Sequence, residues 1–439
     1  MILYIFIVLF YYFWSQRAFK NSFFSFVVLC TILNPGIAIR FAPPSISVDL
    51  ILTLYFFTKF LSNNKYRSSE PFFFKRPFVL LSLSYLISGL LAISFVSFSG
   101  ITTTLNFVIT KAIKVYMLWN LITGKEDIIR IVRHYMIVFS LIFVYGVFEY
   151  LTQSNPIMTF EYSMIPEQYA ESKLFVSDMD GLRGGRTRLQ SLLSIHIEYG
   201  VSAILFLFFV LKISKYKFTH ISDVKKWGYV VASFLCLYFS NSKTPLVVLP
   251  IFILPFLKGR RVVAFCVVSI TLLLFFHSQI AEYVYANLID PDAFDINNTD
   301  MSKGSSLYMR VIQLQVSINA FLQAPLFGNG LRYASAVLAN KDPLIFGAES
   351  VWFKLLIEQG LFGLIAYCYM IYSFIKTSFT RTDSRSFLLF YTLGFFTICS
   401  ITNLDYLLYF VFYIIIYKTS LLACDYPKEL SSEKKNQIS

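Results

Sequence analysis

The sequence predicts an all-α, polytopic membrane protein with about 12–13 transmembrane helices and two large extracytoplasmic loops. Three observations predict it. Of 439 residues, 56% are hydrophobic and 14% charged, with 48 Phe and 29 Tyr. A soluble domain is nearer half apolar and a quarter charged. Apolar runs recur from residue 1 to about 422, more than a soluble chain of this length could hide. Lys and Arg concentrate on alternate connections between those runs. A soluble enzyme, a disordered chain and a secreted disulfide scaffold are excluded. Residues 1–439 read as a single integral membrane domain.

A spanning helix needs about 20 mostly apolar residues. In chain order the segments are 1–14, 21–39, 46–60, 77–97, 102–121, 129–152, 191–212, 227–240, 244–257, 262–279, 349–375, 386–402 and 405–421. The first is short. It lacks the basic start and small-residue cleavage site of a signal peptide, so it counts as a helix. The pair within 227–257 is short as well. Connections holding Arg17, Lys59, Lys125, Lys212, Lys258 and Lys376, with the tail from Lys418, collect 25 of the 38 Lys and Arg. The alternation never breaks, so this side and the C-terminus are cytoplasmic by the positive-inside rule. The net charge of +13 is thus a topology signal, and no nucleic-acid partner is expected.

Two connections on the opposite side are long, 153–190 and 280–348. Loops of that size in a compact protein are uncommon and usually functional. Both mix acids and bases, so their arginines need another explanation than topology. The second contains a helix near 306–323, with Leu307, Val311, Leu314, Ile318, Phe321 and Leu322 as an apolar stripe. Arg310, Gln313 and Ser317 run alongside, and Ala324-Pro325 ends it. It is expected across the bundle mouth, or flat among lipid headgroups.

Groups able to do chemistry gather at the outer ends of the helices. Gly181-Leu182-Arg183-Gly184-Gly185-Arg186-Thr187-Arg188 leads into a helix carrying His196 and Glu198. Glycines allow close backbone approach and guanidinium forks match phosphate oxygens. The plainer reading is headgroup binding or pairing with Asp178 and Asp180. Downstream, Pro325-Leu326-Phe327-Gly328-Asn329-Gly330-Leu331-Arg332-Tyr333 lacks the third glycine of a dinucleotide fingerprint and reads as a tight turn presenting Arg332. Glu349 opens the next helix, where the dipole favours an acid in any case. Lys354 and Glu358 lie four apart on that helix, as an ion pair or as functional groups facing the bundle interior. Lys111 and Lys114 either bind an anionic lipid group or snorkel to the cytoplasmic face.

Six cysteines form no metal-like spacing and only four histidines occur, so no metal and no cofactor are expected. Asp178-Met179-Asp180 and Asp290-Pro291-Asp292 are D-x-D triplets. Such a short pattern arises easily by chance, and solvated loop acids are the plainer reading. No Walker loop or G-x-S-x-G appears.

The stretch Pro325-Leu326-Phe327-Gly328-Asn329-Gly330, then Glu349-Ser350, then Leu356-Ile357-Glu358-Gln359-Gly360-Leu361-Phe362-Gly363, resembles the O-antigen polymerase and ligase superfamily. Arg188 with Ser191, His196 and Gly200, and Ser240-Asn241-Ser242-Lys243-Thr244, resemble further motifs of that superfamily. The resemblance covers roughly 180–365. It implies a bacterial inner-membrane glycosyltransferase acting on undecaprenyl-pyrophosphate-linked oligosaccharide at the outer face. A chain-length regulator and a flippase would be its protein partners. Ligases of the superfamily carry His-Asn where this chain has Glu349-Ser350, which points to a Wzy-type polymerase. A ligase acting on lipid A core and a repeat-unit flippase are the alternatives. In the polymerase reading, Arg188, Arg310 and Arg332 stabilise the leaving pyrophosphate, with Arg183, Arg186 and Lys354 adding to substrate binding. Glu349 is the first candidate for general base and His196 the second.

Overall fold

A computed structural model describes residues 2–31, 38–39, 46–66, 70–96, 99–157, 159–160, 189–193, 196–257, 307–339, 350–380, 384–402 and 407–436. The protein is an all-α bundle. Its helices are α1 Ile2–Arg17, α2 Phe19–Cys30, α3 Val48–Leu61, α4 Lys75–Leu91, α5 Ile93–Val96, α6 Ser99–Asn106, α7 Lys114–Leu121 and α8 Lys125–Thr152. There follow α9 His196–Ile213, α10 Asp223–Ser240, α11 Lys243–Ile253, α12 Leu307–Gln323, α13 Val351–Glu358, α14 Gly360–Ser378, α15 Arg385–Ile401 and α16 Leu407–Asn436. A two-residue antiparallel pair, Ala38–Ile39 with Ile46–Ser47, is the only strand pairing among the described residues. The predicted span 262–279 lies outside the described residues.

Among the described residues, three helices are long and apolar enough to cross a membrane: α8, α9 and α14. Shorter apolar helices accompany them, among them Phe19–Cys30, Lys243–Phe256, Arg385–Ile401 and Leu407–Ala423. Several expected spans are subdivided. In the segment 21–39 helix α2 ends at Cys30, and 46–60 begins its helix at Val48. Within 102–121 the turns widen to a π-helix over Phe107–Ile113, a local change common near functional sites. The run 349–375 is broken at Gln359 into α13 and α14.

The core is aromatic. In α16 every residue from Leu407 to Ser420 is buried, as expected of a helix apolar on all sides. Phe412 stacks on Phe209 of α9 with centroids 4.2 Å apart, and Phe206 stacks on Phe139 of α8 at 3.8 Å. Tyr409 stacks on Phe395 of α15 at 4.2 Å. Between helices in lipid the hydrophobic effect contributes little, so this close packing is itself the cohesive term.

The two ends of the bundle differ in chemistry. At one, Lys20 pairs with Asp127 at 2.7 Å, Lys59 donates to the Ser15 carbonyl at 2.9 Å, and Lys418 pairs with Glu70. Tyr216 and Ser384 share a hydrogen bond of 2.9 Å there. These contacts join the Lys- and Arg-bearing connections that the sequence assigned to one side.

Lys114 neither snorkels nor waits for a lipid. It is fully buried and pairs with Asp49 of α3, over the Phe26 ring at 5.2 Å. Cys30 Sγ and Thr53 Oγ1 donate to the same Asp49 oxygen at 3.3 and 3.2 Å. A counter-ion inside the bundle removes the drive to reach water.

Candidate functional site

The turn and the helix break that carried the resemblance are built into each other. Breaking a helix between α13 and α14 frees carbonyls and amides that must find partners where water is scarce. The turn supplies them. Asn329 N–H donates to the Ile357 carbonyl at 2.9 Å and Gly330 N–H to that of Glu358 at 3.1 Å. In return Leu361 N–H donates to the Pro325 carbonyl at 2.8 Å and Phe362 N–H to that of Leu326 at 3.0 Å. Asn329 Nδ2 ties the turn to the Ala320 carbonyl of α12 at 2.8 Å. Ser88 of α4 donates to the Glu358 carbonyl, and Ser84 donates to Gln359 Oε1 at 2.8 Å. The glycines follow from this proximity. Gly360 has φ +60°, and a Cβ there would lie 2.5 Å from the Gly328 nitrogen. A Cβ on Gly328, φ +72°, would lie 2.4 Å from the Gln359 nitrogen.

The turn does present Arg332, which is exposed, with φ +68°. Its neighbour Tyr333 rests edge-on against Phe95, just past the C-terminal end of α4, at 5.4 Å.

The periodicity of α12 is as expected, but its faces are reversed relative to a helix capping a core. Gln313, Ser317 and Ala320 are buried, whereas Val311, Leu314, Ile318 and Leu322 are exposed. Leu322 is 68% exposed, and Leu326 and Phe327 continue the exposed apolar strip. The polar stripe packs inward beside α13 and the apolar stripe points away from the protein, as suits a lipid-facing helix. Arg310 anchors its first turns: Nη1 donates to the Ile401 carbonyl at the C-terminus of α15, 3.1 Å away.

Three helix N-termini meet around that end of α15, and that of α9 lies against one of them. Arg310 of α12 touches Ile401. Trp352 of α13 donates its indole N–H to Ser400 at 2.7 Å, behind an N-cap in which Ser350 Oγ accepts from Trp352 N–H. Thr244 of α11 lies 3.5 Å from Thr402. Gly200 in α9 abuts Ser240 and Pro245. Each N-terminus carries about half a positive charge in unsatisfied N–H groups. Arg310 and Lys243 add full charges nearby.

A further polar device lies beside α9. Glu149, near the end of α8, is buried and accepts Ser191 N–H at 2.7 Å, Asn155 Nδ2 at 3.0 Å and, more weakly, Gln190 N–H at 3.5 Å. Asn155 also donates to the Ser191 carbonyl at 2.9 Å, and Leu189 N–H donates to the Phe239 carbonyl at 3.2 Å. The residues on either side of 156–188 are therefore tied together.

Of the site residues expected from sequence, Arg183, Arg186, Arg188 and Glu349 lie outside the described residues, as do both D-x-D triplets. His196 is the first residue of α9 and is buried. Lys354 is half-buried and acts electrostatically on Glu358, but the two do not form a direct ion pair. Arg310 belongs to the α15 end, whereas Arg332 and Lys354 surround Glu358. Trp352 packs inward, edge-on to Tyr367 at 5.3 Å. Sequence reasoning missed Glu149 and the Ser84–Gln359 pair. Glu149 did carry a signal: an acid inside an apolar run is expensive in lipid and calls for a partner.

Residues 228–368 match a family model described as O-antigen ligase. The match covers about a third of the chain and includes the Lys243 turn, Arg310, the interlocked turn and the helix break. It supports the O-antigen polymerase/ligase superfamily and a role in polysaccharide assembly, without separating polymerase from ligase. A search of curated proteins gave no match.

Proposed function

We propose that the chain is a polysaccharide polymerase that joins undecaprenyl-pyrophosphate-linked repeats at the outer face of a bacterial cytoplasmic membrane. The observation that supports this best is the meeting of three helix N-termini with Arg310 and Lys243 around the end of α15. Such an end attracts anions, and it lies opposite the lysine-rich end of the bundle. The leaving group of the proposed reaction is a lipid pyrophosphate. Cations and helix dipoles aimed at it stabilise the charge that develops as the glycosidic bond breaks. Arg183, Arg186, Arg188 and Arg332 are the further cations that the sequence offers to that leaving group. The growing chain leaves its carrier and bonds to a hydroxyl of the incoming repeat. Glu349, or His196 in its place, takes the hydroxyl proton. The enzyme is metal-independent in this reading.

The family description favours a second reading, a ligase that passes finished glycan to another acceptor. The Glu349-Ser350 pair, where ligases of the superfamily carry His-Asn, weighs toward polymerase. Deleting the chain and resolving the surface polysaccharide on a gel separates them. A ladder reduced to one repeat unit on its acceptor identifies a polymerase. Full-length polymer retained on the lipid carrier identifies a ligase. Repeats held in the inner leaflet refute both in favour of transport.

A further inference from the structure

Helix α12 divides its circumference into three sectors. Gln313, Ser317 and Ala320 are buried against the protein. Val311, Leu314, Ile318 and Leu322 are exposed and apolar. Gln315, Asn319 and Gln323 are exposed and polar. At 3.6 residues per turn the apolar set centres roughly 140° from the buried set and roughly 95° from the polar set. In water the apolar sector would be left without a partner, and inside the hydrocarbon the polar one would be. All three sectors are matched at once only where protein, lipid and water meet.

The contacts of α12 put it at such a boundary. α14 ends at Ser378 and α15 begins at Arg385, so both rise from one short connection. Their 19 and 17 residues rise about 28 and 25 Å from it. Arg310, in the first turns of α12, bonds the far end of α15 at Ile401. Near the other end of α12, Asn329 Nδ2 donates both to the Ala320 carbonyl at 2.8 Å and to that of Ile357, just before α14, at 3.1 Å. Both ends of α12 are therefore held at nearly one depth, close to the roughly 30 Å thickness of a hydrocarbon core. The helix lies along the membrane plane, not through it. Its apolar sector also runs on into the flank of a spanning helix. Leu326 and Phe327 are exposed beyond Leu322, the Phe327 ring meets Phe362 at 5.9 Å, and Leu361 and Ile365 of α14 are exposed next to it.

We propose that α12 is a lipid-docking helix: its apolar sector sinks into the leaflet at this end of the bundle, Gln315, Asn319 and Gln323 stay on the water side, and the end of α15 is thereby held at headgroup depth. The occupant is lipid and not a second protein, because the strip forms one surface with the flank of α14, which the bilayer already covers. The test uses the full chain in vesicles of phosphatidylethanolamine and phosphatidylglycerol. Nitroxides are attached at Leu314→Cys, Ile318→Cys, Gln315→Cys and Asn319→Cys, one at a time, with the native cysteines replaced by alanine. Power-saturation EPR compares collisions with oxygen, which concentrates among acyl chains, and with a water-soluble nickel chelate. The ratio of oxygen to nickel access at 314 and 318 exceeds that at 315 and 319 at least about fivefold, since an interfacial helix sinks its apolar face about 5–10 Å. Equal ratios at the four sites overturn the proposal. Low access to both reagents at 314 and 318 overturns it in favour of a protein occupant, a second copy included. If the cysteine-free chain does not fold, p-benzoylphenylalanine is placed in the native sequence at Ile318 and, separately, at Asn319. Photocrosslinks to phospholipid at least about fivefold more abundant from 318 support the docking. Equal yields, or crosslinks to protein from 318, overturn it. None of these measurements depends on the reaction proposed above.

Discussion

Gly360→Ala is the sharpest probe of the interlocked turn. The perturbation adds one methyl group to a residue with φ +60°. The left-handed conformation alone costs an alanine about 1–2 kcal/mol. The new Cβ would also sit 2.5 Å from the Gly328 nitrogen, 2.8 Å from the Pro325 oxygen and 3.0 Å from the Leu326 carbonyl carbon. These are backbone atoms, so no flexible side chain can swing away, and overpacking adds about 1–3 kcal/mol. If the turn separates to relieve the clash, the Leu361–Pro325 and Phe362–Leu326 hydrogen bonds lengthen, at about 1 kcal/mol each. The expected destabilisation is about 2–5 kcal/mol, set mainly by the first two effects. Gly228→Ala supplies the control: it lies within α10, with nothing within 4 Å of its added Cβ. There the helix gains about 1 kcal/mol. Thermal unfolding of both variants in detergent, followed by the loss of the monodisperse peak in size-exclusion chromatography, makes the comparison. If Gly360→Ala unfolds within a degree or two of Gly228→Ala, the turn does not hold the helix break together and the reasoning fails.

Other perturbations test other contacts. Asp49→Asn leaves the buried Lys114 ammonium without its counter-ion and should cost about 3–5 kcal/mol. Adding Lys114→Met should recover most of that loss, and a double variant no more stable than the single would refute the pairing. Glu149→Ala orphans the amide of Ser191 and the Asn155 side chain, for a loss of about 2–4 kcal/mol in the same unfolding assay. Arg310→Ala should shorten the polysaccharide while leaving expression intact, since the hydrogen bond to Ile401 is worth only about 1–3 kcal/mol. Normal chain length would remove Arg310 from the proposed pyrophosphate contacts.

The helices were legible because a membrane span announces itself by hydropathy alone. What hydropathy cannot show is where a span breaks. Glu358-Gln359-Gly360 sits inside an apolar run, and a glycine there costs a helix only about 1 kcal/mol. The break stands because a turn some thirty residues earlier completes its hydrogen bonds, a contact with no local signature. The stripe on α12 shows a different limit. Periodicity gives the angle between the apolar and polar faces but not which one meets the protein, and in lipid the usual assignment inverts. Lys114 and Glu149 were visible as charges in apolar runs. Their partners, Asp49 and the Ser191 amide, lie 65 and 42 residues away, beyond what spacing can reveal. Arg188 and Glu349, on which the chemical reading leans most, lie where the structure is not described.

The position of α16 has a consequence for how the protein is made. Its residues 407–420 are enclosed on every side, yet they leave the ribosome after α1–α15. The earlier helices must therefore enter the bilayer around an axle that does not yet exist, with Phe209, Phe395 and Trp119 still lacking the aromatic partners α16 brings. Until that helix arrives, lipid or an insertion chaperone has to occupy its place. A chain stopped before Leu407 would then be a ring of helices without a hub, and quality-control proteases should remove it even with every proposed site residue already synthesised.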